Sequence, residues 1–258
     1  MQLSGKKIVV TGGARGIGAA AVRAFVREGA LVHFVDLLDE EGKELAANVT
    51  ASGPGRAVYH HGNVAERTEM RAIFARCADD MSGIDSLVHA AGIHREAPPE
   101  LITDEDWDTV IAVNLRGTFV TNQEAFPYLK ENEDSRIINF GSLAGMTPYV
   151  MSGHYSASKG GVIAWTRTIA HAWGKHGIRA NTMAPGIESP MAAEVRERLT
   201  SKPISEVGAS PTASAALASG MGDADRDLAP VLVFLLTDGA RHITAQIISV
   251  DGGICPTR

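Results

Sequence analysis

A tyrosine and a lysine stand four residues apart in the segment from Tyr155 to Lys159. On a helix this spacing places both side chains on one face. A free phenol has a pKa of about 10 and is a poor base near neutrality, whereas a neighbouring ammonium group favours the phenolate and lowers that pKa. The pair is therefore a candidate for general acid/base chemistry on a hydroxyl or carbonyl group. The alternative is an ordinary exposed Tyr/Lys pair with no chemical role.

Ser142 strengthens the chemical interpretation of this pair. It follows a predicted strand at residues 136–140 and precedes Tyr155 by thirteen positions. Strand ends in an open parallel sheet face the ligand crevice, so a hydroxyl group there is placed to hold a substrate oxygen beside the phenol. The serine stands one position too early for the Gly-x-Ser-x-Gly elbow that presents a nucleophile, and a hydrolase is therefore disfavoured.

A glycine-rich loop runs from Thr11 to Gly18, between the first predicted strand and the first predicted helix. Glycines permit a tight turn and let the backbone approach a diphosphate, while the helix N-terminus offers unpaired N–H groups and the positive end of its dipole. In this position the loop predicts a dinucleotide site, and a plain glycine-rich turn is the alternative. The candidate cofactor contacts in the loop are Gly12, Arg15, Gly16, Ile17 and Gly18.

An acidic residue, Asp36, ends the second predicted strand, eighteen positions after Gly18. A carboxylate at this place accepts hydrogen bonds from the ribose hydroxyl groups of adenosine. The 2′-phosphate of NADP adds about two negative charges, which this carboxylate would repel. The sequence therefore predicts that NAD is preferred over NADP, and a solvated aspartate at a strand end is the alternative.

Short β-branched runs alternate with segments of helical composition along the chain. Strands are predicted at 8–10, 31–35, 57–59, 86–89, 136–140, 178–183 and 246–250, and helices at 19–28, 40–48, 66–79, 103–124, 155–175 and 228–236. This alternation predicts an α/β fold, a doubly wound Rossmann-type domain with a seven-stranded parallel sheet and helices on both faces. We expect a single domain over 1–258, in which residues 187–227 form an irregular substrate loop or lid.

Composition excludes several classes of protein and of site. The net charge is −6, no basic stripe is present to meet nucleic acid, and no apolar run is long enough to span a membrane. The two cysteines, Cys77 and Cys255, are far apart in sequence, which predicts no disulfide framework and favours a reducing, cytoplasmic compartment. The histidines and cysteines show neither His-Glu-x-x-His nor Cys-x-x-Cys spacing, so no structural metal is predicted.

The joint pattern of these residues resembles the short-chain dehydrogenase/reductase family over nearly the whole chain. The matching positions are Thr11-Gly12-x-x-x-Gly16-x-Gly18, Ala90-Ala91-Gly92, Asn114, Ser142, Tyr155-x-x-x-Lys159 and Pro185-Gly186. The resemblance implies that Tyr155 is the catalytic acid/base and that Ser142 orients the reacting oxygen. It implies that Lys159 lowers the pKa of the tyrosine and holds the nicotinamide ribose, and that Asn114 supports a water that relays protons through the lysine.

The resemblance also implies further cofactor contacts and a homotetrameric assembly. These contacts are Asn63, Val64, Ala90, Ala91, Gly92, Tyr155, Lys159, Pro185, Gly186, Ile187 and Ser189.

Three positions depart from the family pattern. His89 stands where an asparagine that supports the central sheet usually precedes the Ala-Ala-Gly segment. Asn63 replaces an aspartate, although its amide both donates and accepts hydrogen bonds and can still meet adenine. The segment after Pro185 is one residue short, which makes Ser189 the candidate for the hydroxyl group that binds the nicotinamide carboxamide, with the backbone of Ile187 as a neighbouring contact.

The activity implied by the resemblance is NAD-dependent interconversion of a secondary alcohol and a ketone, in which the cofactor carries the hydride. One alternative is a 3-oxoacyl-acyl-carrier-protein reductase, which usually uses NADPH, so that Asp36 counts against it. Another is a non-catalytic nucleotide-binding protein, which the complete Asn/Ser/Tyr/Lys set disfavours. The small-molecule substrate is expected to meet His94, Met146, Tyr149 and Met151 together with Ser142 and Tyr155.

Overall fold

Seven parallel strands form the central sheet of the computed structural model, which describes residues 1–200, 216–217 and 220–255. In chain order the strands are β1 Lys7–Thr11, β2 Leu31–Asp36, β3 Arg56–His61, β4 Ser86–His89, β5 Ser135–Phe140, β6 Ile178–Pro185 and β7 Ile247–Val250. Their spatial order is β3-β2-β1-β4-β5-β6-β7, so the chain builds outwards from β1 to one side and then from β4 to the other. The predicted doubly wound sheet is confirmed.

Helices follow most of the strands and cover the sheet. They are α1 Gly16–Arg27, α2 Asp39–Ser52, α3 Arg67–Met81, α4 Asp104–Val110, α5 Gly117–Leu129, α6 Gly153–Trp173, α7 Pro190–Thr200 and α8 Ala229–Leu235. Two π-helical segments, 111–116 and 224–228, precede α5 and α8. Within the described ranges, we find no helix that combines the length and the apolar character needed to cross a membrane.

Both faces of the sheet are buried, which explains why its strands read as continuous β-branched runs. Side chains of β1 alternate between the faces: Ile8 and Val10 join the apolar cluster that contains Phe25 of α1, whereas Val9 joins the cluster that contains Phe74 of α3. Since helices cover the two faces, the carboxyl edge of the sheet remains as the place where side chains from several strands can meet a ligand.

The long helix predicted at 103–124 is interrupted. The structure instead has α4, a π-helical segment at 111–116, and α5, which continues to Leu129. Thr103 is the N-cap of α4, since its hydroxyl group accepts a hydrogen bond from the backbone N–H of Asp106 at 3.1 Å. The interruption falls at Asn114, one of the predicted site residues.

The expectation that 187–227 is irregular is wrong for its first part, because α7 occupies Pro190–Thr200. The serine hydroxyl group of Ser189 accepts a hydrogen bond from the backbone N–H of Ala192 at 3.1 Å, and proline follows at the first helical position. This is a common way to begin a helix. Residues 201–215 and 218–219, also part of the predicted lid, lie outside the described residues.

Candidate active site

The carboxyl edge of the sheet brings Ser142 and Tyr155 together. Ser142 follows β5 and Tyr155 lies in the first turn of α6, and the Ser142 side chain is close enough to the phenol to act on its pKa. The oxygen of Ser142 also accepts a hydrogen bond from the backbone N–H of Ala144 at 3.1 Å, which fixes the serine rotamer. A substrate oxygen placed between these two hydroxyl groups would meet a donor and an acceptor at once.

The pKa of Tyr155 is raised above its ordinary value of 10.0, chiefly because burial disfavours the phenolate. The Ser142 side chain acts in the opposite direction, and the nearby Tyr149 adds to the increase. The expectation that Lys159 lowers this pKa is therefore wrong for the protein alone. The ammonium nitrogen lies 5.8 Å from the centre of the phenol ring, over its face.

Lys159 is buried within the site, and its Nζ donates a hydrogen bond to the carbonyl oxygen of Phe140 at 2.8 Å. Burial lowers the pKa of this lysine to about 8, so near neutrality it keeps its proton but gives it up more readily than a surface lysine. A Cβ atom on Gly92 would lie 3.4 Å from Nζ and 3.3 Å from Oδ1 of Asn114. Because Gly92 has no side chain, no Cβ atom crowds the ammonium group of Lys159 or the amide of Asn114.

Asn114 lies in the π-helical segment and is fully buried. Its Oδ1 accepts from the backbone N–H of Ile93 at 2.8 Å, and its Nδ2 donates to the carbonyl oxygen of Ile93 at 2.9 Å. The same Nδ2 donates to the hydroxyl group of Ser158 at 3.1 Å, and that hydroxyl group donates to the carbonyl oxygen of Tyr155 at 2.7 Å. Asn114 therefore joins the loop after β4 to the turn of α6 that carries the tyrosine.

Ser158 was not among the predicted site residues, although it is buried and links Asn114 to Tyr155. Its position directly before Lys159 and three residues after Tyr155 places it one helical turn from the phenol. That spacing was visible in the sequence, but the partner on another helix was not.

The glycine loop packs against the residues that follow β4 so closely that no side chain would fit between them. Gly12 has φ +67°, and a Cβ atom there would lie 2.6 Å from the backbone of Ala91, which Ala90 precedes. A Cβ atom on Gly18 would overlap the carbonyl oxygen of Gly12. These two glycines hold the loop closed on itself and on the sheet, and so determine where the N-terminus of α1 points.

A dinucleotide diphosphate fits the N-terminus of α1. Gly16, Ile17 and Gly18 begin this helix, whose first N–H groups have no partner within the helix itself. Arg15 is the N-cap residue, and within the described residues its side chain makes no capping hydrogen bond. Its guanidinium group instead lies 3.6 Å from Glu194 of α7, so the loop and α7 adjoin at this point.

Asp36 ends β2 beside the glycine loop, as the sequence predicted. One carboxylate oxygen accepts a hydrogen bond from the backbone N–H of Ala14 at 3.0 Å. The other accepts from the backbone N–H groups of Leu37 at 2.7 Å and Leu38 at 3.2 Å. The carboxylate is thus held in place as a fixed negative charge next to the candidate diphosphate site.

Asn63 and Val64 follow β3 at the same edge. The side-chain oxygen of Asn63 accepts a hydrogen bond from the backbone N–H of Ala65 at 3.0 Å, which makes a local turn, and Val64 is buried. The amide nitrogen of Asn63 is the group left to meet a base.

The segment after β6 is tied to the end of β7 and to the far side of the predicted lid. Gly186 donates its N–H to the carbonyl oxygen of Val250 at 2.8 Å, and its own carbonyl oxygen accepts from Gly222 at 3.0 Å. Ile187 is buried, and Ser189 is engaged as the cap of α7 while its O–H remains a donor. Pro185, Ile187 and Ser189 thus belong to the short segment that joins the carboxyl end of β6 to α7.

Of the predicted substrate contacts, His94 lies against Tyr155, and Tyr149 lies against His94. The imidazole of His94 meets the Tyr155 ring edge-on, with 4.4 Å between centroids, and Tyr149 at 5.7 Å. Its Nδ1 lies 3.1 Å from the carboxylate of Glu96, a residue that the sequence analysis did not single out. Met146 is partly exposed after the short helical turn that follows Ser142, and Met151 is buried.

His89, at the end of β4, occupies the place of the asparagine expected from the family pattern, and it is buried. Its Nδ1 lies 2.8 Å from the hydroxyl group of Thr11 and 2.9 Å from that of Thr121. The hydroxyl group of Thr121 also donates to the carbonyl oxygen of Gly117 at 2.9 Å. Its Nε2 has no hydrogen-bond partner among the described residues. Burial, together with the charge of Lys159, lowers the pKa of His89 to about 3.

We predict that His89→Asn makes the protein less sensitive to acid. The unfolded chain takes up a proton at a histidine below about pH 6.5, whereas folded His89 stays neutral down to about pH 3, so the wild type loses stability as the pH falls through this window. For a single such group the loss between pH 7 and pH 5 is about 2 kcal/mol. Urea unfolding at both pH values measures the difference.

The matched control for this prediction is His242→Asn, since His242 is exposed. This variant should keep the pH dependence of the wild type. The same loss of stability in His89→Asn as in the wild type would contradict the assignment of His89 as a neutral buried group.

Sequence comparison finds related proteins along nearly the whole chain. Residues 6–200 match the family model described as short chain dehydrogenase. The chain is 34% identical over 255 residues to a 3-oxoacyl-acyl-carrier-protein reductase of Thermotoga maritima, covering 98% of this chain and 99% of that protein. It is 32% identical over 255 residues to the D-threitol dehydrogenase of Mycolicibacterium smegmatis, covering 98% of this chain and 94% of that protein.

Solved structures share the fold over the same extent. A dehydrogenase/reductase from Sinorhizobium meliloti matches with a TM-score of 0.84 at 30% identity, covering 98% of this chain and 96% of the other. A short chain dehydrogenase from Burkholderia cenocepacia in complex with NADP matches with a TM-score of 0.86 at 30% identity, covering 98% and 99%.

Proposed function

Because this chain belongs to the short-chain dehydrogenase family and is an oxidoreductase, we propose that it uses NAD to interconvert a secondary alcohol and a ketone. The observation that carries the proposal is the approach of Ser142 to Tyr155 near the buried Lys159, at the sheet edge where α1 begins. NAD, when bound, supplies the hydride acceptor and a positive charge that favours the phenolate.

In the proposed mechanism, Ser142 holds the substrate oxygen and Tyr155 takes the hydroxyl proton during oxidation, or returns it during reduction. Because burial raises the pKa of Tyr155, the resting phenol is protonated, which suits the reduction of a ketone. The proton is exchanged with Lys159 through a bridging water, and the lowered pKa of this lysine makes it a readier proton donor than a surface lysine. Asn114 acts as a positioning residue, since it fixes Ser158 and through it the turn that carries the phenol.

We propose NAD over NADP as the cofactor because of Asp36. Its carboxylate is fixed by three backbone N–H groups next to the glycine loop, so it cannot swing away from a 2′-phosphate without losing those bonds. The proposed cofactor contacts are the loop residues Gly12, Arg15, Gly16, Ile17 and Gly18, with Asn63, Val64, Ala90, Ala91, Gly92, Pro185, Gly186, Ile187 and Ser189.

We propose that residues 187–227 form a substrate loop on a single domain that spans the chain. Both described ends of this region make fixed contacts. Ile187 pairs with Gly222, and Asp225 makes a two-point ion pair with Arg23 of α1 at 2.8 and 2.6 Å.

The proposed substrate pocket lies in front of Tyr155 and is lined by His94, Tyr149, Met146 and Met151. Most of these lining side chains are apolar. The imidazole of His94, paired with Glu96, adds a polar group next to the phenol ring. We therefore expect a substrate with an apolar body and a polar group beyond its reacting carbon.

The assembly and the compartment are proposed on the family pattern and on the cysteines. A homotetramer is expected, with packing through the helices α5 and α6, where Gly160 and Ala164 permit close approach. Neither Cys77 nor Cys255 forms a disulfide bond, which agrees with a reducing compartment such as the cytoplasm.

Turnover of a panel of secondary alcohols, followed by the absorbance of NADH, tests the proposed function. We expect oxidation of at least one class of alcohol with NAD, and far slower oxidation with NADP. Binding of NAD without turnover on any alcohol or on the corresponding ketones with NADH would contradict it and favour a non-catalytic nucleotide-binding protein.

A second candidate, a 3-oxoacyl-acyl-carrier-protein reductase, is favoured by the 34% identity to the Thermotoga maritima protein of that name. It differs in substrate and cofactor, since it predicts reduction of a 3-oxoacyl thioester with NADPH. Comparing NADPH and NADH on such a thioester distinguishes it from the first proposal, because the fixed charge of Asp36 predicts that NADPH is the poorer donor.

A further inference from the structure

Two histidines and a cysteine meet in the core between β2, β3 and α3. Nδ1 of His33 and Nε2 of His60 are 2.9 Å apart, and Sγ of Cys77 lies 3.8 Å from Nε2 of His60. The three atoms all lie within 4.8 Å of one another, and all three residues are buried. We refer to these residues as the His-His-Cys cluster.

The cluster follows from the register of the sheet. His33 and Val35 point to the same face of β2, and His60 is the β3 residue that pairs with Val35. This is the face covered by α3, because Val35 and Cys77 belong to the same apolar cluster. No residue of the His-His-Cys cluster belongs to the candidate active site, so neither the acid/base chemistry nor the proposed cofactor contacts account for it.

We propose that the His-His-Cys cluster binds one Zn²⁺ ion through Nδ1 of His33, Nε2 of His60 and Sγ of Cys77. Imidazole and thiolate are the ligands that zinc prefers. Zn–N bonds of about 2.0 Å and a Zn–S bond of about 2.3 Å in a tetrahedron require an N···N distance of about 3.3 Å and an N···S distance of about 3.6 Å. The N···N distance of 2.9 Å and the Nε2···Sγ distance of 3.8 Å differ from these by about 0.4 Å or less, and the remaining distance, from Nδ1 of His33 to Sγ of Cys77, is within 4.8 Å. Side-chain rotations that bring the sulfur closer to His33 complete the site.

The proton balance of this binding is simple. In the protein alone, one ring of the pair donates its N–H to the other. On binding, each imidazole carries its proton on the nitrogen that faces away from the ion, and both facing nitrogens offer lone pairs. The thiol of Cys77 loses its proton to solvent as the Zn–S bond forms. No electron is transferred in this step.

Burial keeps both imidazoles neutral, whereas it raises the pKa of the Cys77 thiol, so the incoming ion must displace the thiol proton. Burial lowers the pKa values of both histidines, that of His33 to about 4, so both rings are free of excess protons near neutrality. The negative charge of the Asp80 carboxylate raises the pKa values of all three members of the cluster. The positive charge of Arg76 lowers all three pKa values, and that of Arg56 lowers the pKa of His33.

An ion here would stiffen the strands that end in the proposed adenosine contacts. His33 precedes Asp36 by three residues, and His60 precedes Asn63 by three. The ion would join β2 and β3 to α3 below those ends, a structural role with no part in the chemical step.

Titration of the full-length, chelator-treated protein with Co²⁺, a spectroscopic substitute for Zn²⁺, tests the proposal. We expect saturation at one ion per chain, a thiolate-to-cobalt charge-transfer band in the near ultraviolet, and a higher Tm with Zn²⁺ than without it. Affinity should be lower at pH 6 than at pH 8, because the thiol proton must leave. A wild-type titration without the charge-transfer band and without a change in Tm overturns the proposal and leaves a hydrogen-bonded histidine pair.

Two variants and one matched control locate the ion. Cys77→Ser should abolish the charge-transfer band, and His60→Gln should weaken binding by at least about tenfold. Cys255→Ser removes the other cysteine and should change neither the band nor the affinity. If the band disappears in Cys255→Ser and persists in Cys77→Ser, the ion is held elsewhere and the proposal is wrong.

Discussion

Tyr155→Phe is expected to lower kcat for alcohol oxidation by about 10³-fold while the dissociation constant for NAD changes little. The substitution removes the phenolic oxygen and leaves the ring, so the edge-on contact with His94 at 4.4 Å and the burial of α6 are retained. Without that oxygen no group beside Ser142 takes the hydroxyl proton. Turnover of the best alcohol from the panel and calorimetric titration with NAD measure the two quantities.

The matched control for this prediction is Tyr128→Phe at the end of α5, which removes a phenolic oxygen far along the chain from the site. It should keep the activity of the wild type. Activity within a few-fold of wild type in Tyr155→Phe would refute the acid/base assignment, whereas a loss of NAD binding together with activity would indicate a damaged fold.

The sheet was predictable because its central strands are buried on both faces. Runs such as 8–10 and 86–89 are mostly apolar, and helical segments separate the strands, so their number and parallel arrangement follow from composition and order. The predicted position of Ser142 at a strand end then placed it near Tyr155, and in the structure its side chain is close enough to act on the pKa of the phenol.

Contacts that depend on exact register or on a single turn could not be predicted in the same way. In the π-helical segment at Asn114 the backbone hydrogen bonds span five residues instead of four. The spacing of apolar residues in the sequence does not reveal this difference. The His-His-Cys cluster needs the register of β2 against β3, and residue 60 lay outside the strand predicted at 57–59. The start of α7 was missed although Ser189 and Pro190 form a common helix start, because alanine, serine and proline are frequent throughout that region.

The electrostatics of Tyr155 show a further limit of sequence reasoning. The i, i+4 spacing predicts that Lys159 and the phenol share a helix face, but not which atom the ammonium group meets. In the structure it donates to the carbonyl oxygen of Phe140 and lies over the ring, so burial dominates and the pKa of the phenol rises. The direction of a pKa shift depends on burial and on contacts with residues distant in sequence. A local sequence motif carries no information about either.

Asp36→Asn is expected to change the ratio of kcat/KM for NAD to that for NADP by roughly 30- to 1000-fold in favour of NADP. This range corresponds to about 2–4 kcal/mol, the order of the repulsion between a fixed carboxylate and a 2′-phosphate near a protein surface. Asparagine keeps the size of the side chain and one oxygen that accepts from the backbone, so the turn formed by Asp36 with Ala14 and Leu37 is largely retained. Asp36→Ala removes the charge and the ribose acceptor together, and should weaken use of NAD further.

Asp39→Asn is the control that separates a specific contact from the general charge of this surface. Asp39 lies three residues later, at the start of α2, and its carboxylate is bound by the hydroxyl group of Tyr59 at 2.7 Å and by His61 at 2.8 Å. Both variants remove one negative charge from the same region, so a long-range effect would alter the cofactor ratio in both. We expect a large change only in Asp36→Asn, because only this carboxylate is held against the glycine loop. An unchanged ratio in that variant would mean that Asp36 does not face the adenosine ribose, and the preference for NAD would then lose its physical basis.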